Sequence, residues 1–377
     1  MRVGLVVYGS IDARSGGFRY DRQLRDHLES LGHRVDVIEL PWRSYLRGLL
    51  AGIDPRRRDP LHGGDAAISG YDVVFQDELC HPSLLAQRRT CAEGPCVISL
   101  VHLLRSGPQS GPARPFYRAV ERRYLETVDG VVCTSADTVS RVDSLVDLPT
   151  VVAPPAGRCQ GAAVTADQVR DNAYERELHV GFVGNVVPRK GLETLLAAID
   201  RVDAPTRLTV IGDLDVAPGY AGRQQARLER SPPADDVRLL GTVSDDRLET
   251  ELERFHVLAV PSRYESVGMV YLEAMEYGTV PIASTVGGAD EFVTDRHDGL
   301  LVRPDDPDGL AQHLSWLATD RAALARLGTN ALSTAGSRPD WESSMDRIVE
   351  FVDQLRSPET GEVSSSTQRP LERGRSP

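Results

Sequence analysis

The chain has 377 residues, 41% of them apolar and 26% charged, and a formal net charge of −12. That length suffices for two domains with full cores, and the acidic balance excludes general nucleic-acid binding. No apolar run reaches a membrane span, and "MRVGLVVYGS" is interrupted too soon for a secretory leader, so a soluble, cytoplasmic protein is expected. Five cysteines without paired spacing to histidines predict neither a disulfide framework nor zinc, and Cys91 and Cys96 are read as reduced thiols.

The chain opens with a strand, "RVGLVVYG", then a loop holding Gly16 and Gly17. The helix "YDRQLRDHLESLG" follows, with Leu24, His27, Leu28 and Leu31 on one face and Gly32 as its stop. Strand-like runs recur at 33–40, 71–76, 96–102, 129–135 and 150–155, and "PFYRAVERRYLETV" between them reads as an amphipathic helix. After a linker-like stretch at 156–177 the alternation restarts. Strands are expected at 178–184, 207–212, 237–241, 256–262, 279–284 and 299–304, with helices beginning near Lys190, Tyr220, Asp245, Val270 and Asp290. Strands alternating with helices imply parallel sheets, so the expected class is α/β with two Rossmann-like halves facing each other across a cleft. The predicted division is 1–165, 166–338, a closing helix over 339–356 that packs back toward the first half, and a polar, Pro/Ser-rich tail over 357–377 that is expected to be disordered.

Such paired sheets bind ligands at the C-terminal ends of their strands. Neither first strand is followed by GxGxxG, and GxxxxGK[ST] is absent, which argues against dinucleotide and P-loop sites. Two features stand out instead. One is Lys190, the single lysine of the chain, every other cation being arginine. A compact ammonium sits between phosphate oxygens as a point charge in a way that a guanidinium fork does not copy. The other is "PSRYESVGMVYLEAMEYGTVPIASTVGG", where Glu265 and Glu273 stand eight apart between two strands. With a helix starting just after Glu265, the N–H groups of Ser266, Val267, Gly268 and Met269 would favour anions and hydroxyl oxygens. Two fixed carboxylates beside such donors suit a polyhydroxylated ligand such as a nucleotide sugar. Asp213 and Asp215 form a DxD, read as an ordinary loop, and no metal is expected to be essential.

The glycine loop "RSGGF", "SLVHLLRS", "FVGNVVPRKGLETLL", "VRLLGTVSDDRL", "PSRYESVGMVYLEAMEYGTVPIAS" and "GLLVRPDDP" together resemble the retaining GT-B glycosyltransferases of the family 4 type (glycosyl transferases group 1). The resemblance runs over essentially the whole folded chain. It implies an acceptor-binding first domain and a nucleotide-sugar donor-binding second domain. The donor site implied is Gly17, Asn185, Arg189, Lys190, Val243, Glu265, Ser266, Val267, Gly268, Met269, Val270 and Glu273. Within it, Glu273 would take the ribose hydroxyls, Glu265 the sugar hydroxyls, and Lys190 and the Gly17 backbone the diphosphate. His102, Glu265 and Lys190 would lie nearest the reacting carbon. Asn185 stands where family members often carry an arginine, so one phosphate cation of the family pattern is missing.

The implied reaction is sugar transfer with retention from a nucleotide diphosphate donor, a UDP-sugar by preference, to an unidentified glycan, lipid or small-molecule acceptor. Its partners are thus the donor and that acceptor, with no nucleic acid and no cofactor. A lipid acceptor would place the protein at the inner membrane face, with 115–128 as a contact segment. Two alternatives stay open: a sugar-nucleotide epimerase on the same plan, and a non-catalytic nucleotide-sugar-binding protein. Oligomeric state is left open as well.

Overall fold

A computed structural model describes residues 1–53, 70–85, 94–159, 161–230 and 237–357. The arginine cluster at 54–60, Cys91 and residues 358–377 lie outside them. The structure is GT-B, two parallel six-stranded sheets flanked by helices. The first sheet contains β1 (Arg2–Tyr8), β2 (Arg34–Leu40), β3 (Val73–Asp77), β4 (Cys96–Val101), β5 (Gly130–Cys133) and β6 (Thr150–Val152), in the order β2-β1-β3-β4-β5-β6. The second contains β7 (Leu178–Val183), β8 (Thr206–Ile211), β9 (Val237–Gly241), β10 (Val257–Ala259), β11 (Val280–Ser284) and β12 (Leu300–Val302), in the order β12-β11-β10-β7-β8-β9.

Sheets covered on both faces need strands that are apolar throughout. β1 shows the consequence. Val3, Leu5 and Val7 enter one core layer with Leu24 and Leu28, while Val6 and Tyr8 enter the other with Tyr124 and Val131. The helix Trp341–Arg356 belongs to the first of these layers through Trp341, Met345, Ile348, Phe351 and Val352. The second sheet has its own core, centred on Val180, Phe182, Leu208, Val257 and Ile282.

Several local expectations are corrected. The stretch 156–177 is not plain linker, because Thr165 and Gln168 form a capping box that starts the helix Ala166–Ala173. The helix expected near Asp290 is only the single turn Ala289–Glu291, whose Glu291 carboxylate is spent on the backbone N–H groups of Ala136 and Asp137 in the other domain. On the helix Gly16–Ser30 the buried stripe is Phe18, Tyr20, Asp21, Leu24 and Leu28, and Leu31 is exposed. Four described cysteines, Cys80, Cys96, Cys133 and Cys159, are free thiols. No helix among the described residues is long and apolar enough to cross a membrane.

Candidate functional site at the interdomain cleft

Strand order decides what meets at the cleft. In the second sheet β7 lies between β10 and β8, so the loops leaving β7 and β10 emerge side by side at a switch point. The first loop carries Asn185, Arg189 and Lys190, and the second carries Glu265. Their approach depends on Gly191, whose φ of 72° is left-handed and whose added Cβ would stand 2.2 Å from the Pro261 carbonyl oxygen. Lys190 Nζ thereby reaches Glu265 Oε2 at 2.5 Å. Arg189 Nη1 donates to the same oxygen at 3.3 Å and to the Tyr264 carbonyl at 2.8 Å, and the Ser262 hydroxyl adds a bond at 3.2 Å.

Glu265 is 7% exposed. Burial pushes its carboxyl up, but Lys190 and Arg189 outweigh burial and hold it down at about 2. The Lys190 ammonium is drawn below its ordinary value by burial, with Arg189 adding to the fall and Glu265 opposing it. With its value held at about 2, Glu265 is a carboxylate at neutral pH, 2.5 Å from the Lys190 Nζ.

Glu265 does not sit at the lip of a helix as expected. It bridges Gly287 in an extended stretch, and the helix begins four residues later, over Met269–Met275, after Gly268. Gly268 is required there by its φ of 77° and by the Tyr271 ring, 2.3 Å from where a Cβ would stand. Ser266 is half-buried, and Val267 is buried in a small cluster with Leu272 and Phe292. Met269 and Val270 are half-buried at the helix start. Asn185 is half-buried and its carbonyl accepts the Val187 N–H at 2.9 Å. The Asp213 carboxylate accepts the Asp215 N–H at 2.7 Å, an Asx turn that accounts for the DxD.

The first domain meets this face through the start of the helix Gly16–Ser30. A Cβ on Gly16 would stand 3.3 Å from Met269 Sδ, and one on Gly17 3.3 Å from the His102 ring. Arg14 donates to the Val243 carbonyl. Arg19 pairs with Glu273, which Arg158 Nη2 also approaches at 3.8 Å. Tyr264 donates to Asp137 at 2.9 Å, closing the far end of the cleft. Arg19 and Arg158 carried no local sequence signal, since their partner lies in the other domain or across the crossover.

His102 follows β4, and its Nε2 lies 3.0 Å from Asp21 Oδ1 inside the first domain. Its backbone N–H donates to Glu78 Oε2 at 2.8 Å, and Asp77 completes a buried cluster. Burial alone would lower the imidazole. Asp21, backed by Asp77 and Glu78, outweighs it and raises His102 to about 10, so an imidazolium lies beside Gly17 at neutral pH. Burial, Glu78 and Asp21 together raise Asp77 well above its ordinary value. One ligand atom from each of Asp21, Asp77 and His102 lies within 4.8 Å of the others, a spacing open to a cation. A protonated imidazole has no lone pair to give, however, and the ion pair accounts for the arrangement. The Asp on the buried helix stripe was the readable sign of it.

The comparisons agree with this architecture. Residues 177–320 match the family described as glycosyl transferases group 1. A D-inositol 3-phosphate glycosyltransferase of Stackebrandtia nassauensis is 30% identical over 257 residues, which cover 62% of this chain and 56% of that protein. The match thus spans little more than half of that relative's length. A phosphatidyl-myo-inositol mannosyltransferase of Mycolicibacterium smegmatis is 27% identical over 94% of both chains. Among solved structures, sucrose-phosphate synthase from Thermosynechococcus elongatus superposes with a TM-score of 0.76 at 24% identity, over 94% of this chain and 99% of that one. With the GT-B sheets, their cleft and this donor-side segment in place, residues 177–320 match the glycosyl transferases group 1, and the chain as a whole shares the GT-B fold.

Proposed function

We propose that the chain is a retaining glycosyltransferase that moves a sugar from a nucleoside diphosphate donor, a UDP-sugar by preference, to an acceptor hydroxyl. The observation that carries this reading is the buried Glu265, held as a carboxylate by Lys190 and Arg189 at the switch point of the second sheet. A carboxylate fixed in this way orients sugar hydroxyls, and the cations beside it offset the negative charge that grows on a departing diphosphate. Glu273, on the helix Met269–Met275, takes the ribose hydroxyls. The Gly17 backbone, Val243 and the 266–270 segment line the donor, with His102 behind Gly17. Retention needs no protein nucleophile when the acceptor attacks from the leaving-group side. Names of the relatives, which include an inositol phosphate glycosyltransferase and a mannosyltransferase, support a nucleotide-sugar donor and a polyol-type acceptor.

Calorimetric titration with UDP, GDP and ADP, without added metal, tests the reading. One nucleotide should bind tightly to the wild type and weakly to Lys190→Ala. Absence of binding for all three would sink it.

A further inference from the structure

Glu265 and Glu273 are the two carboxylates expected to grip a donor, and each is held by two cations. Lys190 and Arg189 sit on Glu265, from the loop after β7 of the same domain. Arg19 and Arg158 sit on Glu273, from the first domain and from the crossover. At Glu265 two cations face one carboxylate. Around Glu273 the exposed Asp245, 3.3 Å from Arg158, and the buried Glu276, which accepts the Arg158 N–H, offset the two arginines. The cation excess therefore lies at Glu265, where a nucleoside diphosphate would answer it.

Arg19 is the cation placed to change partners. It lies in the first turn of the helix Gly16–Ser30, which contains no acidic residue, so its charge adds to the positive end of the helix dipole. That is unfavourable for the helix itself and favourable only for an anion. The same turn presses on the donor segment, with Gly16 against Met269. Besides Glu273, Arg19 has only a bond of 3.3 Å from Nη2 to the Gly157 carbonyl. Arg158 is tied more firmly: its backbone N–H donates to Glu276 at 2.6 Å and its guanidinium also meets Asp245.

We infer that Arg19 is the second diphosphate cation of this enzyme, delivered from the opposite domain in place of the arginine that the chain lacks at Asn185. When ribose hydroxyls claim Glu273, Arg19 passes from that carboxylate to the diphosphate oxygens, and the exchange couples donor binding to the fit of the two domains. This rests on the donor reading given above and assigns it a residue that the neighbouring sequence does not reveal.

The test compares binding of a nucleoside diphosphate and of its parent nucleoside to the full chain, by calorimetry. Uridine and UDP serve, or guanosine and GDP if that base binds the wild type. Arg19→Ala should weaken the diphosphate about tenfold and leave the nucleoside equal or tighter, because Glu273 is released. Arg19→Gln, which keeps a hydrogen-bond donor for Glu273 without the charge, should behave the same way and covers the case in which alanine loosens the fold. Adding Asn185→Arg to Arg19→Ala should restore diphosphate affinity. Undiminished diphosphate binding in both Arg19 variants overturns the assignment. So does an equal loss for nucleoside and diphosphate, which would make Arg19 a positioning residue for Glu273. A wild type that binds neither ligand brings down the donor reading itself, a different failure from the other two.

Discussion

Two buried ionic clusters face each other across the cleft, and they are built with opposite imbalance. On the second domain Glu265 is surrounded by Lys190 and Arg189, more cation than acid. On the first, His102 is surrounded by Asp21, Asp77 and Glu78, more acid than cation. An acid-rich cluster has an internal outlet, since carboxyl groups hold protons more tightly when burial and like charges raise them, the direction in which Asp77 is pushed. In the cation-rich cluster Arg189 has no such outlet, because guanidinium does not give up its proton. Burial lowers Lys190, and an anion from outside would oppose that fall. The contrast separates a cluster that holds the first domain together from one that recognises a ligand.

The contrast is broken most strongly at Lys190. Lys190→Ala should lower turnover by roughly 100- to 1000-fold, the scale of losing one fixed donor to a developing anion, with thermal unfolding shifted little because Arg189 and Ser262 still hold Glu265. Undiminished turnover in that variant removes Lys190 from the reaction.

Asp21→Asn attacks the other cluster. It strips the counter-ion from a buried imidazolium and should cost about 3 kcal/mol of stability in denaturant unfolding at pH 7. The folded value of His102, about 10, exceeds its ordinary 6.5, so its contribution is fully present below 6.5 and fades as pH rises toward 10. Wild type and Asp21→Asn should therefore converge in stability above pH 10. A gap that persists there assigns the loss to packing instead.

Glu265 gives the mirror image. Its folded value of about 2 lies below the ordinary 4.5, so its contribution is complete above 4.5 and disappears as pH falls toward 2. That shift is worth on the order of 3 kcal/mol. Glu265→Gln should flatten this acid limb, and an unaltered limb places the acid sensitivity elsewhere. The smallest effect belongs to Asp213→Asn, which keeps the Asx turn and should alter stability by less than about 0.5 kcal/mol and leave turnover unchanged. A large loss of turnover there would reinstate the DxD as a site.

The alternation of strands and helices was legible because both sheets are buried on two faces and their strands read as continuous apolar runs. Sequence motifs placed Lys190 and Glu265 in one donor site, but their direct contact came only with the structure. Short helices hid better. Tyr45–Ile53 and Ala136–Asp143 went unread, and the capping box that announces Ala166–Ala173 was passed over as linker. The orientation of His102 was hidden because its partner, Asp21, is 81 residues away and comes into reach only when helix packs on sheet. Arg19 was hidden for the same reason on a larger scale, with 254 residues between it and Glu273.

The return of the helix Trp341–Arg356 to the first sheet has a consequence for how the molecule is made. Trp341 donates to the Gly157 carbonyl at 3.0 Å, and its helix fills a layer of the first core. During synthesis from the N-terminus, residues 1–152 leave the ribosome with that layer unfilled. They keep apolar surface uncovered while the whole second sheet is translated and able to fold. The domain that is made first is therefore finished last, and a chain truncated before residue 341 should fail in the half most distant from the cut.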